Sequence, residues 1–136
     1  MRGEIDMTIE VRANQPAGAL RYTLTAEGHD MPLGFPQPDG DGPDPHDYFD
    51  GALGGCKALT LMWYAKRKQL PLVSVDVDVV RDDSEERRGV YKLTARLRLH
   101  GDLNEEQRAE LLAVADKCPI HRLMSTTDVQ ITTELM

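Results

Sequence analysis

Aromatic residues are scarce in this chain, with one Trp, four Tyr and two Phe among 136 residues. A core must therefore be built from Leu, Val, Ala and Met. Long apolar runs are missing as well. Nothing reaches the roughly 18 consecutive apolar residues of a membrane span, so no membrane partner is expected. Met1 to Asp6 lack the apolar centre of a secretory signal, and the two absences together point to the cytoplasm. Positive charge is in deficit: 16 Lys and Arg against 23 Asp and Glu leave a net charge of −7. Nucleic acid favours a basic surface and is not expected as a partner. There is no phosphate loop, no Gly-x-Ser-x-Gly elbow, no dinucleotide fingerprint and no internal repeat. The length suits a single domain, taken as residues 1–136.

Cysteine is almost absent, and the two that occur carry the most information. Cys56 follows Gly54-Gly55 inside a long apolar segment, and Cys118 stands in Lys117-Cys118-Pro119-Ile120-His121-Arg122. In a reducing cytoplasm they are structural thiols, metal ligands or transient redox groups rather than a permanent staple. The Gly54-Gly55 pair costs a helix about 1 kcal/mol per residue. It lets a backbone or ligand approach beside the sulfur, or serves a helix crossing. Pro is favoured at the first helical position, so Cys118 is the expected N-cap of a short helix. A helix N-terminus lowers a thiol pKa, and His121 and Arg122 lie within one turn, which favours Cys118 as the more ionised thiol. Cys118 and His121 have a two-ligand spacing to which Cys56 could add a third. Structural zinc wants four ligands, and His29, His46 and His100 are scattered. No metal is expected.

The pattern of elements reads β-β-(β)-α-β-β-α-α-β. Ile5 to Val11 and Leu20 to Ala26 alternate around the turn residues 14–18, and Met31 to Leu33 gives a short third strand. Gly34 to Pro45 is loop, either functional or covering. A helix starts at Pro45 and runs to about Gln69, where Leu70-Pro71 stops it. Its expected buried face is Tyr48, Phe49, Ala52, Leu53, Cys56, Leu59, Thr60 and Trp63. The middle is apolar almost all round, which implies cover from a second subunit. Val73 to Val80 and Val90 to His100 form a long hairpin around the polar turn 81–88. A helix from Asn104 through Cys118, a short helix to Met124 and a closing strand from Val129 to Leu135 complete the chain.

These motifs resemble the OsmC/Ohr family. The first half is matched by Gly42-Pro43-Asp44-Pro45-His46-Asp47, Ala52-Leu53-Gly54-Gly55-Cys56, Tyr64-Ala65-Lys66-Arg67-Lys68 and Leu70-Pro71-Leu72. The second cysteine motif is matched by Lys117-Cys118-Pro119-Ile120-His121-Arg122. The resemblance implies an α+β fold with curved antiparallel sheets around a long central helix, in an intertwined homodimer. It implies a thiol-dependent peroxidase that reduces organic hydroperoxides and hydrogen peroxide with a dithiol reductant and no cofactor. Cys56 would be the peroxidatic thiol and Cys118 the resolving one, joined through a sulfenic acid and a disulfide. The alternative is a non-catalytic OsmC-like protein that binds a small apolar or thiol ligand or senses oxidation. The family's peroxidases carry a Glu about ten residues before the first Cys, where this chain has His46 beside Asp47. Arg12 and Arg21 are the candidates for the family's N-terminal Arg.

Overall fold

Where two alternating runs can meet, they pair; where no neighbour is available, the same pattern stays irregular. The computed structural model of this chain describes residues 7–38 and 40–136. It divides into two compact units, Met1–Phe49 and Asp50–Met136. In the first unit, strands β1 (Glu10–Ala13), β2 (Arg21–Ala26) and β3 (His29–Gly34) form an antiparallel sheet in that order. Between β2 and β3, Glu27 and Gly28 both have positive φ, 50° and 80°. That is the two-residue hairpin turn whose twist matches the flanking strands. β1 lies later than the alternation predicts: residues 7–9 are irregular, and residues 5 and 6 fall outside the described part.

Helix α1 (Pro45–Lys68) is 24 residues long, about 36 Å at 1.5 Å per residue. Asp44 and Asp47 cap its start reciprocally: Asp44 N–H donates to Asp47 Oδ2 at 2.9 Å and Asp47 N–H to Asp44 Oδ1 at 3.3 Å. Lys66, Arg67 and Lys68 occupy the last turn, where cations suit the negative end of the dipole.

The second unit holds the hairpin of β4 (Leu72–Asp82) and β5 (Lys92–Gly101), joined through a 3-10 turn at Glu86–Arg88. Val75, Val77 and Val79 pair with Leu99, Leu97 and Ala95, which makes one face apolar, while Asp76, Asp78 and Asp82 oppose Arg98, Arg96 and Lys92 on the other. Helix α2 (Glu105–Ala115) begins with a capping box of Asn104 and Gln107, and α3 (Pro119–Ser125) follows. Leu61, Leu111 and Ala115 form the innermost core, packed on by Val75, Leu97 and Leu99 among others. This α+β layout of antiparallel sheets and helices is the architecture expected from the sequence.

Two expectations fail. The buried stripe of α1 is Asp50, Leu53, Gly54, Lys57, Leu61 and Ala65, so the predicted face is rotated. Of that face only Leu53 is fully buried, while Leu59 and Trp63 stay 74% and 60% exposed. The reason is that the stripe accepts two charged residues whose partners come from the hairpin and from the end of α2. Gly54 helps fix this rotation, because a Cβ there would lie 2.9 Å from Val79 Cγ2. Second, residues 129–135 form no strand and are exposed. Val129 and Ile131 keep their alternation, but a strand needs a bonded neighbour.

Candidate functional site

The site forms where α1 meets the turn between α2 and α3. The residue before a proline is held extended, and Cys118 has φ −68° and ψ 142° ahead of Pro119 at the first helical position. It is therefore the N-cap of α3, as the sequence predicts, and its sulfur accepts a hydrogen bond from the His121 backbone N–H at 3.4 Å. Cys118 is completely buried and Cys56 is half-buried; both are free thiols. Cys56 lies close enough to act on Cys118 both as a hydrogen-bonding and as a Coulombic neighbour. Its own sulfur is 3.9 Å from Thr60 Oγ1, one turn further along α1. The fold thus brings the two cysteines together from distant parts of the sequence.

The cation of this site is Lys57. It is only 3% exposed, and burying an ammonium is costly unless its N–H groups are satisfied. Lys57 Nζ donates to the Ala115 carbonyl at 2.7 Å and sits 2.9 Å from His121 Nδ1, with Asp116 Oδ1 at 3.6 Å. Lys57 is not among the residues the sequence singles out, because its side chain leaves the helix in a different direction from that of neighbouring Cys56. The clue to it was spacing: Asp50 and Lys57 are two turns apart in a largely apolar helix, on the stripe that also carries Leu53 and Leu61.

These surroundings set the ionisation of Cys118. Burial pushes its thiol up, and the hydrogen bond and charge of Cys56 act the same way. The His121 N–H and the Lys57 ammonium oppose them but do not win. The expectation of a lowered Cys118 thiol pKa is thus overturned, because a cap that is wholly dry loses more by desolvation than it gains from the helix end.

Asp50 forms a second buried cluster in the same unit, accepting from Arg81 Nε at 2.6 Å and Tyr91 Oη at 2.7 Å. Burial and the Asp50 carboxylate push the Tyr91 phenol well above its usual range. His46, Arg12 and Arg21 belong to the first unit. His46 Nδ1 is 3.6 Å from Asp44 Oδ2, Arg12 is 3.8 Å from Glu10, and Arg21 pairs with Asp41. Among the described residues, no group of three or more His, Cys, Asp or Glu could hold a metal ion. No helix among them is long and apolar enough to cross a membrane.

A long helix laid on an antiparallel hairpin, with one thiol on that helix and a second at a helix cap, defines the class. The family model described as OsmC-like protein matches residues 38–134, and the chain belongs to that family. Among solved structures, an OsmC-like protein from Mycoplasma pneumoniae superposes with a TM-score of 0.71 at 17% identity, covering 90% of this chain and 89% of that one. The organic hydroperoxide resistance protein OhrB of Bacillus subtilis gives 0.58 at 22% identity, with 88% and 91% covered. An organic hydroperoxide resistance protein from Elizabethkingia anophelis gives 0.60 at 19% identity, with 90% and 91% covered. At these identities the likeness establishes the fold. No curated protein matches the chain.

Proposed function

We propose that this protein is a cytoplasmic thiol-dependent peroxidase in which Cys56 is the peroxidatic and Cys118 the resolving cysteine. The observation that carries the reading is the pair itself: two free thiols, far apart in sequence, with Cys56 a hydrogen-bonding neighbour of Cys118 within one unit. Cys56 is the more accessible of the two, which suits the thiol that must meet the substrate first. Gly55 just before it leaves open space, since a Cβ there would meet nothing within 4 Å. Several structures of this fold bear names of organic hydroperoxide resistance proteins, which supports a hydroperoxide as the substrate class.

In the first step the Cys56 thiolate attacks one oxygen of the hydroperoxide. An S–O bond forms as the O–O bond breaks, the sulfur is oxidised to a sulfenic acid, and the alkoxide leaves and is protonated to the alcohol. Cys118 then displaces hydroxide from that sulfur to give a disulfide, and an external dithiol reduces the pair by exchange. A second copy of the chain completes the assembly in this reading. The exposed α1 face of Leu59 and Trp63 and the unpaired alternating segment 129–135 are the surfaces it would cover.

The test is hydroperoxide consumption in the presence of a dithiol. The native protein should turn over at least about a hundredfold faster than Cys56→Ser, and Cys118→Ser should stall after one equivalent. Native turnover no better than Cys56→Ser removes the peroxidase reading. The second reading, a non-catalytic ligand binder, draws on the open space at Gly55 and on the raised pKa of Cys118. A copurifying small molecule seen by native mass spectrometry, with no turnover, would favour it.

A further inference from the structure

We propose that Lys57 is the fixed cation of this dithiol and that it serves Cys118 rather than Cys56, easing the ionisation of the buried Cys118 thiol for the step that closes the disulfide. The inference deepens the peroxidase reading and rests on it for the identity of the oxidant. It starts from a buried ammonium on a stripe whose other members, Asp50 apart, are Leu, Gly and Ala. Lys57 instead reaches across to the end of α2 and the first turn of α3, where the Ala115 carbonyl and His121 Nδ1 take two of its three N–H groups.

An ammonium has no lone pair, so His121 Nδ1 is the acceptor of this hydrogen bond. The His121 side chain is 39% exposed and 3.8 Å from Asp116 at the same nitrogen. It thus ties the buried cation to the surface, while its own backbone N–H points at the Cys118 sulfur. One residue therefore positions both the cation and the cap hydrogen bond. Cys56 receives neither of these contacts; its neighbours are Thr60 and the Cys118 thiol itself. The groups that act on Cys118 are Cys56 and Lys57 from α1 and the His121 backbone N–H from α3, with Asp116 at the end of α2 beside Lys57 and the His121 ring.

A wholly buried thiol resists ionisation, and an adjacent fixed positive charge is the means of offsetting this. The step that benefits is disulfide closure. The Cys118 thiolate attacks the sulfur of the Cys56 sulfenic acid, the S–S bond forms and the S–O bond breaks. The departing hydroxide is protonated to water, which balances the proton Cys118 released on ionising. The Cys118 sulfur is oxidised, the sulfenic sulfur is reduced, and Lys57 keeps its proton throughout. Lys57 is in this sense a positioning residue, acting through the charge of Cys118.

The experiment compares Lys57→Met, Lys57→Gln and Lys57→Arg. Lys57→Gln keeps a neutral N–H donor, one bond shorter than lysine, in place of the ammonium. In a Cys56→Ser background, Cys118 ionisation is followed by thiolate absorbance and by iodoacetamide alkylation across pH. Both neutral variants should move the midpoint up by about one unit or more, a roughly tenfold slower alkylation at pH 7. Lys57→Arg should stay within about twofold of the parent. Neutral variants that titrate with the parent overturn the proposal. So does an arginine variant as slow as the neutral ones, since that result assigns the effect to shape rather than charge. With both cysteines present, the neutral variants should be oxidised at Cys56 at the native rate yet accumulate sulfenic acid trapped by dimedone. Closure at the native rate overturns the role in that step. A native protein that hydroperoxide fails to oxidise removes the peroxidase reading, while the alkylation series still decides whether Lys57 governs Cys118.

Discussion

The two ends of the buried stripe of α1 treat charge in opposite ways. At one end Asp50 is enclosed by Arg81 and Tyr91, which answer it with a guanidinium and a phenolic O–H. At the other end Lys57 meets a carbonyl and an imidazole, and a carboxylate at 3.6 Å on a largely exposed Asp116. The first charge is neutralised where it lies and fastens α1 to the hairpin. The second is paired less closely, and the Cys118 thiol stands in its field. Burial alone does not mark a functional charge; what the partners leave unanswered does.

Mutation should separate the two ends. Asp50→Ala removes the acceptor of the Arg81 and Tyr91 hydrogen bonds and should cost about 3 kcal/mol, the low end for a broken buried pair because Arg81 keeps a third of its side chain in water. Lys57→Met removes a charge whose counter-ion, Asp116, stands 3.6 Å away and largely in solvent, and leaves one carbonyl unpaired, a loss of about 1–2 kcal/mol. Urea denaturation of both variants checks the ranking. A Lys57 variant as damaging as Asp50→Ala would erase the distinction, because both charges would then be structural fasteners.

The pH dependence of stability sharpens the same contrast. A thiol whose pKa is raised on folding binds its proton more tightly in the native state. Its contribution is complete below the unfolded thiol value of about 8.5 and fades as pH climbs toward the folded one. Cys118 belongs to this class. Stability should therefore fall above about pH 8.5, by at most about 1.4 kcal/mol per unit for one group. Cys118→Ser should flatten that decline. Tyr91 is raised for its own reasons, and its loss begins only above about pH 10. Tyr91→Phe should leave the lower window untouched and flatten the higher one. Thermal melts between pH 7 and 11 read both, and a decline above pH 8.5 that persists unchanged in Cys118→Ser contradicts the assignment.

Much of this was legible in the sequence, for identifiable reasons. Strict alternation in 73–80 and 90–100 gave the long hairpin, since each run had the other to pair with. Pro119 placed Cys118 at a cap, and the structure keeps it there. The rotation of α1 was not legible, because apolar residues surround the helix and periodicity cannot choose among faces. The choice was made by Gly54 admitting Val79 and by the reach of Asp50 and Lys57 to partners in other elements. The ionisation of Cys118 was misjudged for a related reason: a motif reports the helix end, whereas desolvation depends on everything else around the sulfur. The tail 129–135 had the right alternation and no strand beside it, which only a three-dimensional neighbourhood reveals.

The smallest expected effect concerns the face of α1 opposite the stripe. Gly54 and Gly55 are neighbours in sequence with opposite surroundings: a Cβ at Gly54 runs into Val79, whereas one at Gly55 meets nothing within 4 Å. Gly54→Ala should destabilise by overfilling the contact with β4. Gly55→Ala should gain up to about 1 kcal/mol, the helix-propensity difference, if that face is in water. The gain also serves as a probe of the second copy proposed above. In a solvated face it is independent of protein concentration. In a seam between two helices, where small residues allow close approach, the added methyl weakens association. The melting temperature of Gly55→Ala should then fall below that of the parent as concentration rises, because a dimer draws more stability from mass action than a monomer does. Melting curves over a hundredfold range of concentration, read beside sedimentation of the native protein, tell the two cases apart. A constant gain at every concentration would leave α1 with one working face, and the thiol end of the stripe would have to function within a single chain.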